Sequence, residues 1–308
     1  MARFLATPIA VLLSLASQAY GDDMAPIIEK VRAHEAAYDD FRIKFTRRYS
    51  LKAPTVRLET MIRDREHVVD YVIKGAKYRY RLEGFEDPVK GDRLRLDITR
   101  ISDGKDTRYL DGRAIANILH NTTAIDYEIY TPHLLLLPNF GVDGPLSRIL
   151  GGRSASEKRR ITVEPAGEEE VRGWPCQVVK IAHHRIEDDP DVVKLWLSVK
   201  QNHLPIKTEG FNPEVSRTSP VETGEVEALR EVEPGLWFPT ASSVVVYDPF
   251  ELAKGRRTAL GIHQFKAEAI TLRPQVDDSL FTELTIPDGV PVIEADGDRI
   301  LRRYVQGE

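Results

Sequence analysis

His183 and His184 stand close to Glu187, Asp188, Asp189 and Asp191, the densest run of metal-ligating side chains in the chain. Imidazole and carboxylate together would suit Zn²⁺ or Ca²⁺. Adjacent residues on a strand point to opposite faces, however, so the two imidazoles cannot easily share one ion. The run closes on Asp189-Pro190 just before an apolar segment, the pattern of a solvated hairpin loop. The expectation is no metal and no cofactor. No H-E-x-x-H, Walker loop, G-x-S-x-G elbow or paired-cysteine zinc spacing occurs. Nothing in the spacing of Ser, His and Asp assembles a triad, although triad partners can lie far apart in sequence. Asn121-Thr122-Thr123 matches the glycosylation acceptor pattern, a three-residue match that is common by chance.

The single cysteine, Cys176, cannot form an intramolecular bridge, so the fold must rely on its core. It sits in Gly173-Trp174-Pro175-Cys176-Gln177-Val178 at the start of an apolar alternation. That context suits a small buried hydrophobe better than a reactive thiol.

The elements around these residues follow from periodicity. Ile27, Ile28, Val31 and Tyr38 fall at helical spacing, with Pro26 suited to a first turn, and this helix should end near Asp39-Asp40. From Phe41 the period becomes two: Phe41, Ile43 and Phe45 alternate with Arg42, Lys44 and Thr46. Tyr78, Tyr80 and Leu82 repeat the pattern, as do Leu94, Leu96 and Ile98. Asp103-Gly104 and Asp111-Gly112 bracket a short strand over Thr107–Leu110. Further strands are expected over 160–164, 176–182, 192–198, 204–209, 223–232, 237–247 and 259–272. About ten strands with antiparallel turn chemistry make one large sheet that must curl around something.

Residues 114–152 break this rhythm. Leu134, Leu135, Leu136 and Leu137 form one apolar cluster there, and Leu146, Ile149 and Leu150 another. The segment reads as loops with one or two short helices over the sheet, serving either as a lid or as plain packing. Residues 291–308 read as a charged tail, and the charged run 296–303 within them most simply as a solvated face or tail.

Residues 1–21, MARFLATPIAVLLSLASQAYG, carry one arginine, a short apolar run and small residues at Ala19 and Gly21. This is the architecture of a secretory signal peptide cleaved near Gly21, and the run is too short to span a bilayer. A buried N-terminal helix is the plainer alternative. No cysteine follows that could take a lipid. The chain has 308 residues, 43 basic and 48 acidic, and a formal charge of −5; losing Arg3 moves it to −6. No basic block favours nucleic acid or an anionic membrane, and no later segment can cross a membrane as a helix. A hydrophobic content of 42% supports a real core, so global disorder is excluded. No composition break divides residues 22–290, which read as one domain.

The order of the pieces resembles a known group. An amphipathic helix precedes a Phe-rich strand and the paired turns Asp103-Gly104-Lys105 and Asp111-Gly112-Arg113. Val193-Lys194-Leu195-Trp196-Leu197-Ser198 then runs through a turn into Leu204-Pro205-Ile206-Lys207, and Phe281 and Ile286-Pro287-Asp288-Gly289 lie near the end. This arrangement resembles the LolA-type outer-membrane lipoprotein-sorting superfamily, with its LolB-like and RseB-like relatives. The resemblance implies a mainly β fold with some α: an unclosed antiparallel β-barrel, apolar inside, plugged by an N-terminal helix and short helices. It also implies reversible burial of a lipid or lipoprotein acyl chain, without covalent chemistry. The chain is longer than a typical carrier, with extra sequence around 105–168 and after Val215. None of Arg42, Arg47 and Arg48 can be matched to the arginine that fastens the lid in carriers.

Alternation proposes Phe41, Phe45, Tyr78, Tyr80, Leu94, Leu96 and Ile98 as cavity lining, with Trp196, Phe211 and Trp237 as additions. The same side chains would equally fill a core. The leading expectation is an exported, periplasmic or envelope binding protein, its partner a hydrophobic ligand or an acyl chain. The alternatives are an envelope sensor that contacts a membrane-anchored protein and, last, a metal-assisted exported enzyme.

Overall fold

The computed structural model describes residues 24–52, 61–112, 114–122, 131–137, 144–152, 160–184 and 190–308. The signal-peptide region and Arg185–Asp189 of the acidic run therefore lie outside the described residues, as do residues 123–130 and 138–143 of the lid-like segment.

Helix α1 covers 24–36. It buries Met24, Ile27 and Val31 on one face, as the helical spacing requires. Then follow β1 (Asp40–Leu51), β2 (Ile62–Lys74), β3 (Lys77–Pro88), β4 (Leu94–Ser102), β5 (Thr107–Asp111) and β6 (Ile115–His120). After the short helix α2 (Leu146–Leu150) come β7 (Arg160–Val171), β8 (Trp174–His184), β9 (Asp191–Ser198), β10 (Leu204–Phe211), β11 (Glu222–Glu233) and β12 (Leu236–Tyr247). The chain ends with α3 (Pro249–Leu252), β13 (Ala259–Leu272), α4 (Ser279–Thr282), β14 (Pro291–Asp296) and β15 (Arg299–Val305).

All fifteen strands form one sheet in the order β15-β14-β6-β5-β4-β3-β2-β1-β13-β12-β11-β10-β9-β8-β7. The sheet does not close on itself: β15 and β7 are its two edges. Neighbours run antiparallel except β14 beside β6, which is parallel. This is the mainly β, unclosed architecture with an N-terminal helix that the alternation and the resemblance both imply.

The count exceeds the expected ten or so because four strands were not legible. β2 carries Arg65 and His67 on the same face as Val69 and Tyr71, which hides its period of two. β6 opens the segment expected to be irregular. β14 and β15 occupy the region expected as a charged tail, and that expectation is corrected. Val292 is buried with Val290 and Ala116, fastening the hairpin to β6. The charge that suggested a tail belongs to Arg299, Arg302 and Arg303, exposed on the outermost strand.

The inner face, covered by α1 and the leucine segment, holds the core. One cluster joins Tyr38, Phe41, Ile43, Phe45, Val69, Tyr71, Tyr78, Tyr80, Leu82, Phe238 and Phe265. A second joins α1 and α2 to Val179, Ile181, Val193, Leu195 and Leu197. Burying each such side chain contributes about 1.5–3 kcal/mol. Outer-face charges on β1 are instead paired at the surface, Arg42 with Asp70 and Lys44 with Glu268, where each pair is worth at most about 1 kcal/mol. Apolar burial, not ion pairing, holds the sheet.

Candidate functional site: an apolar groove with a polar floor

Strand register builds the site. One lateral row crosses ten strands on the inner face: Val179, Leu195, Thr208, Gly224, Val244, His263, Tyr49, Arg65, Glu86 and Leu94 stand opposite one another in turn. The row beside it runs Val226, Ser242, Phe265, Arg47, His67, Gly84 and Leu96. The inner face thus changes chemistry along the strands. Phe41, Ile43 and Phe45 on β1 give way to Arg47 and Tyr49; Tyr71 and Val69 on β2 give way to His67 and Arg65.

The leucine segment fills the apolar part of this face. Leu135 packs into the aromatic cluster, Leu136 into a cluster with Ile206, Val226 and Val244, and Leu134 and Leu137 into the cluster of α1 and α2. Thr208 donates its hydroxyl to the Leu136 carbonyl at 3.3 Å. Gly224 leaves the room that the Thr208 hydroxyl needs, since a Cβ there would meet Thr208 Oγ1 at 2.6 Å. His133, fully buried, donates from Nε2 to the Asn202 carbonyl at 3.3 Å. Asn202 in turn grips the β11–β12 turn, donating to the Gly235 carbonyl and accepting from the Trp237 amide. Burial pushes the His133 imidazole down to about 3, with His34 and His203 adding repulsion. It is neutral in the folded protein.

Where the leucines stop, the face opens into a groove of about 630 Å³. Its walls are Ile62, Val215, Val221, Val246, Pro249 and Leu260, and its polar lining is Tyr49, Arg65, His263, Glu222, Asn212 and Tyr247. That volume and mixture fall in the range of small-molecule sites. Tyr49 lies against His263 with ring centroids 4.7 Å apart, and Gly261 permits it: a Cβ at that position would meet the Tyr49 ring at 2.6 Å. Arg65 Nε pairs with Glu86 Oε1 at 2.6 Å, and the same oxygen lies 3.6 Å from His67 Nε2. Arg47 donates from Nε to His67 Nδ1 at 2.9 Å, so the proton of that ring sits on Nε2, facing Glu86. Burial, reinforced by Arg65 and Arg47, pushes His263 down to about 4.

The residues singled out by alternation lie elsewhere on the sheet. Phe41, Phe45, Tyr78 and Tyr80 are buried in the aromatic cluster, with Leu96 and Ile98 packed at its margin. Leu94 is 52% exposed at the end of the long row. Trp196 points away from Leu195 and Leu197; Lys194 and Lys207 lie over its ring, and its Nε1 donates to Glu169. Phe211 and Trp237 are half-buried. None of the ten lines the groove. Leu146, Ile149 and Leu150 pack under α1. The groove residue Tyr49 carried a signal all the same: with Arg47 beside the groove, it continues the period of two that Phe41 begins.

Among the described residues, no group of three metal-ligating side chains is placed to hold an ion. His183 and His184 end β8, and His184 Nε2 meets Thr162 Oγ1 at 2.9 Å. Cys176 is buried, donates its thiol to the Trp174 carbonyl, and is pushed up by burial to about 11. No described helix is long and apolar enough to cross a membrane.

No family model and no curated protein matches the chain. Solved structures do. A DUF1329 family protein from Desulfovibrio piger is 11% identical, with 85% of this chain and 95% of that one covered, at a TM-score of 0.48. A LolA superfamily protein from Nitrosomonas europaea is 12% identical over 84% of this chain and 96% of that one, at a TM-score of 0.42. A domain named for outer membrane lipoprotein sorting, from Vibrio parahaemolyticus, is 9% identical over 83% of this chain and 96% of that one, at a TM-score of 0.41.

Proposed function

We propose that this chain is a non-enzymatic binding protein of the cell envelope that takes an acyl chain or similar apolar ligand into the open end of its inner face. The observation that carries the reading is the groove of about 630 Å³, whose walls are contributed by β2, the β10–β11 connection, β12, α3 and β13. Each methylene moved from water into such walls is worth about 0.8 kcal/mol, enough for tight reversible binding with no covalent step. Release of the leucine segment would extend the groove toward Phe45 and Phe265, whose rings lie 5.0 Å apart behind it. Residues 1–21 act in this reading as an export signal removed near Gly21, and N-terminal sequencing of protein recovered from the envelope fraction tests that part.

Delipidated protein should take up a fluorescent fatty acid saturably and yield it to unlabelled palmitate. Absence of uptake at protein concentrations of tens of micromolar would sink the proposal. A second reading, an interaction module that contacts a membrane-anchored protein, is favoured by the leucine-filled centre. A stable protein partner recovered from envelope extracts, with no extractable lipid, would select it.

A further inference from the structure

The charged groups of the groove are unequally occupied. Glu86 is engaged by Arg65 at 2.6 Å and faces His67 at 3.6 Å. Glu222, the acid of the groove's own polar lining, is 4% exposed and already has an interaction partner. Arg65 comes nearest to Glu86 through Nε; its two terminal nitrogens make no hydrogen bond to a described residue, and its side chain is 30% exposed. His263 lies in the same row, in the field of Arg65 and Arg47, and is neutral. Among the described residues, the floor therefore offers one guanidinium edge, that of Arg65, to which no carboxylate is hydrogen-bonded. The free edge of a guanidinium fits two oxygens of one carboxylate or phosphate.

Building on the apolar-ligand reading, we propose that the groove selects amphiphiles with an anionic head, carboxylate or phosphate, which Arg65 holds while the alkyl chain lies along Ile62, Val221 and Val246. A neutral head of the same chain length leaves the guanidinium edge unpaired and binds less well.

Competition binding with palmitate, hexadecyl phosphate and hexadecanol tests this. The wild-type protein should hold one or both anions at least about tenfold more tightly than the alcohol, the scale of one charge-assisted hydrogen-bonded contact. Whichever anion binds more tightly identifies the head. Arg65→Gln should abolish the preference while leaving hexadecanol affinity within about twofold, and Arg65→Lys should retain part of it. Arg63→Gln, at an exposed residue paired with Asp87, should leave the preference intact. Equal binding of all three by wild type, or an unchanged preference in Arg65→Gln of normal thermal stability, overturns the head-group assignment while the apolar-ligand reading stands. Binding of none overturns both.

Discussion

Leu135 and Leu136 are consecutive in the chain, yet they pack into different apolar clusters, the half-buried Leu135 against the aromatic residues of β1–β3 and the buried Leu136 against β10–β12. A turn segment can do this only where side chains diverge over a sheet that curves beneath them. The segment is thereby a rivet between the two halves of the inner face. Leu136→Ala should cost roughly 2–5 kcal/mol, the range for emptying a buried leucine site. Urea unfolding checks it, and a loss below about 1 kcal/mol would mean that the segment is not part of the stable core.

The approach of Tyr49 to His263 depends on a missing methyl group. Gly261→Ala would put a Cβ 2.6 Å from the Tyr49 ring. The ring must then move into the groove, with overpacking costing about 1–3 kcal/mol. Uptake of fluorescent fatty acid should fall, and Tyr49→Ala in the same chain should restore it. Failure of the double variant to recover would place the fault in the backbone of β13 instead.

Acid should loosen the leucine segment. His133 lies at about 3 and His203 at about 4 in the folded protein, both lowered mainly by burial, against an unfolded value near 6.5. Lys30 and His34 on α1 add repulsion to His203, and His34 adds it to His133. Below pH 6.5 the unfolded chain binds protons that the folded one refuses, so stability is full above that pH and is lost as pH falls toward 4. Each histidine contributes a slope of up to about 1.4 kcal/mol per pH unit. Unfolding midpoints at pH 7.5, 5.5 and 4.5 should fall more steeply for wild type than for His133→Gln; parallel curves would refute the assignment.

His120 should act with the opposite sign. Nδ1 donates to Asp106 at 3.0 Å and Nε2 to Glu294 at 2.8 Å, joining the β6 end to β14. Hydrogen bonds to Glu294 and then Asp106 raise its pKa. Its contribution is therefore complete below the unfolded value and fades as pH rises through the raised one. Amide exchange in β14 and β15, corrected for intrinsic rates, should lose protection between pH 6 and pH 9, and His120→Gln should flatten that change.

Period-two alternation located most strands because one face of each is covered and the other wet. It did not locate β2, whose inner positions carry Arg65 and His67, or β14 and β15, whose buried residues are few and small. The same cause hid the groove. Phe41, Phe45, Tyr78 and Tyr80 are the strongest apolar signal, and for that reason they are the ones the leucine segment covers. The open part of the face lies where alternation persists but polarity changes, at Arg47, Tyr49, Arg65 and His263. Pairing these across strands required the register, in particular the β1–β13 contact between residues more than two hundred positions apart, which no local pattern reveals.

That contact also sets the order in which the molecule can be made. β1 lies mid-sheet, and one of its edges meets β2 early, while the other must wait for β13; Thr46 and Glu268, bonded across that seam, are 222 residues apart. A ribosome finishes most of the chain before the seam can close, and the β6–β14 pairing closes later still, since β14 follows β13. Such distant pairings make for slow folding and leave unpaired strand edges exposed to other chains in the meantime. A chaperone that shields nascent β1 should therefore raise the yield of this protein more than any change to its finished surface.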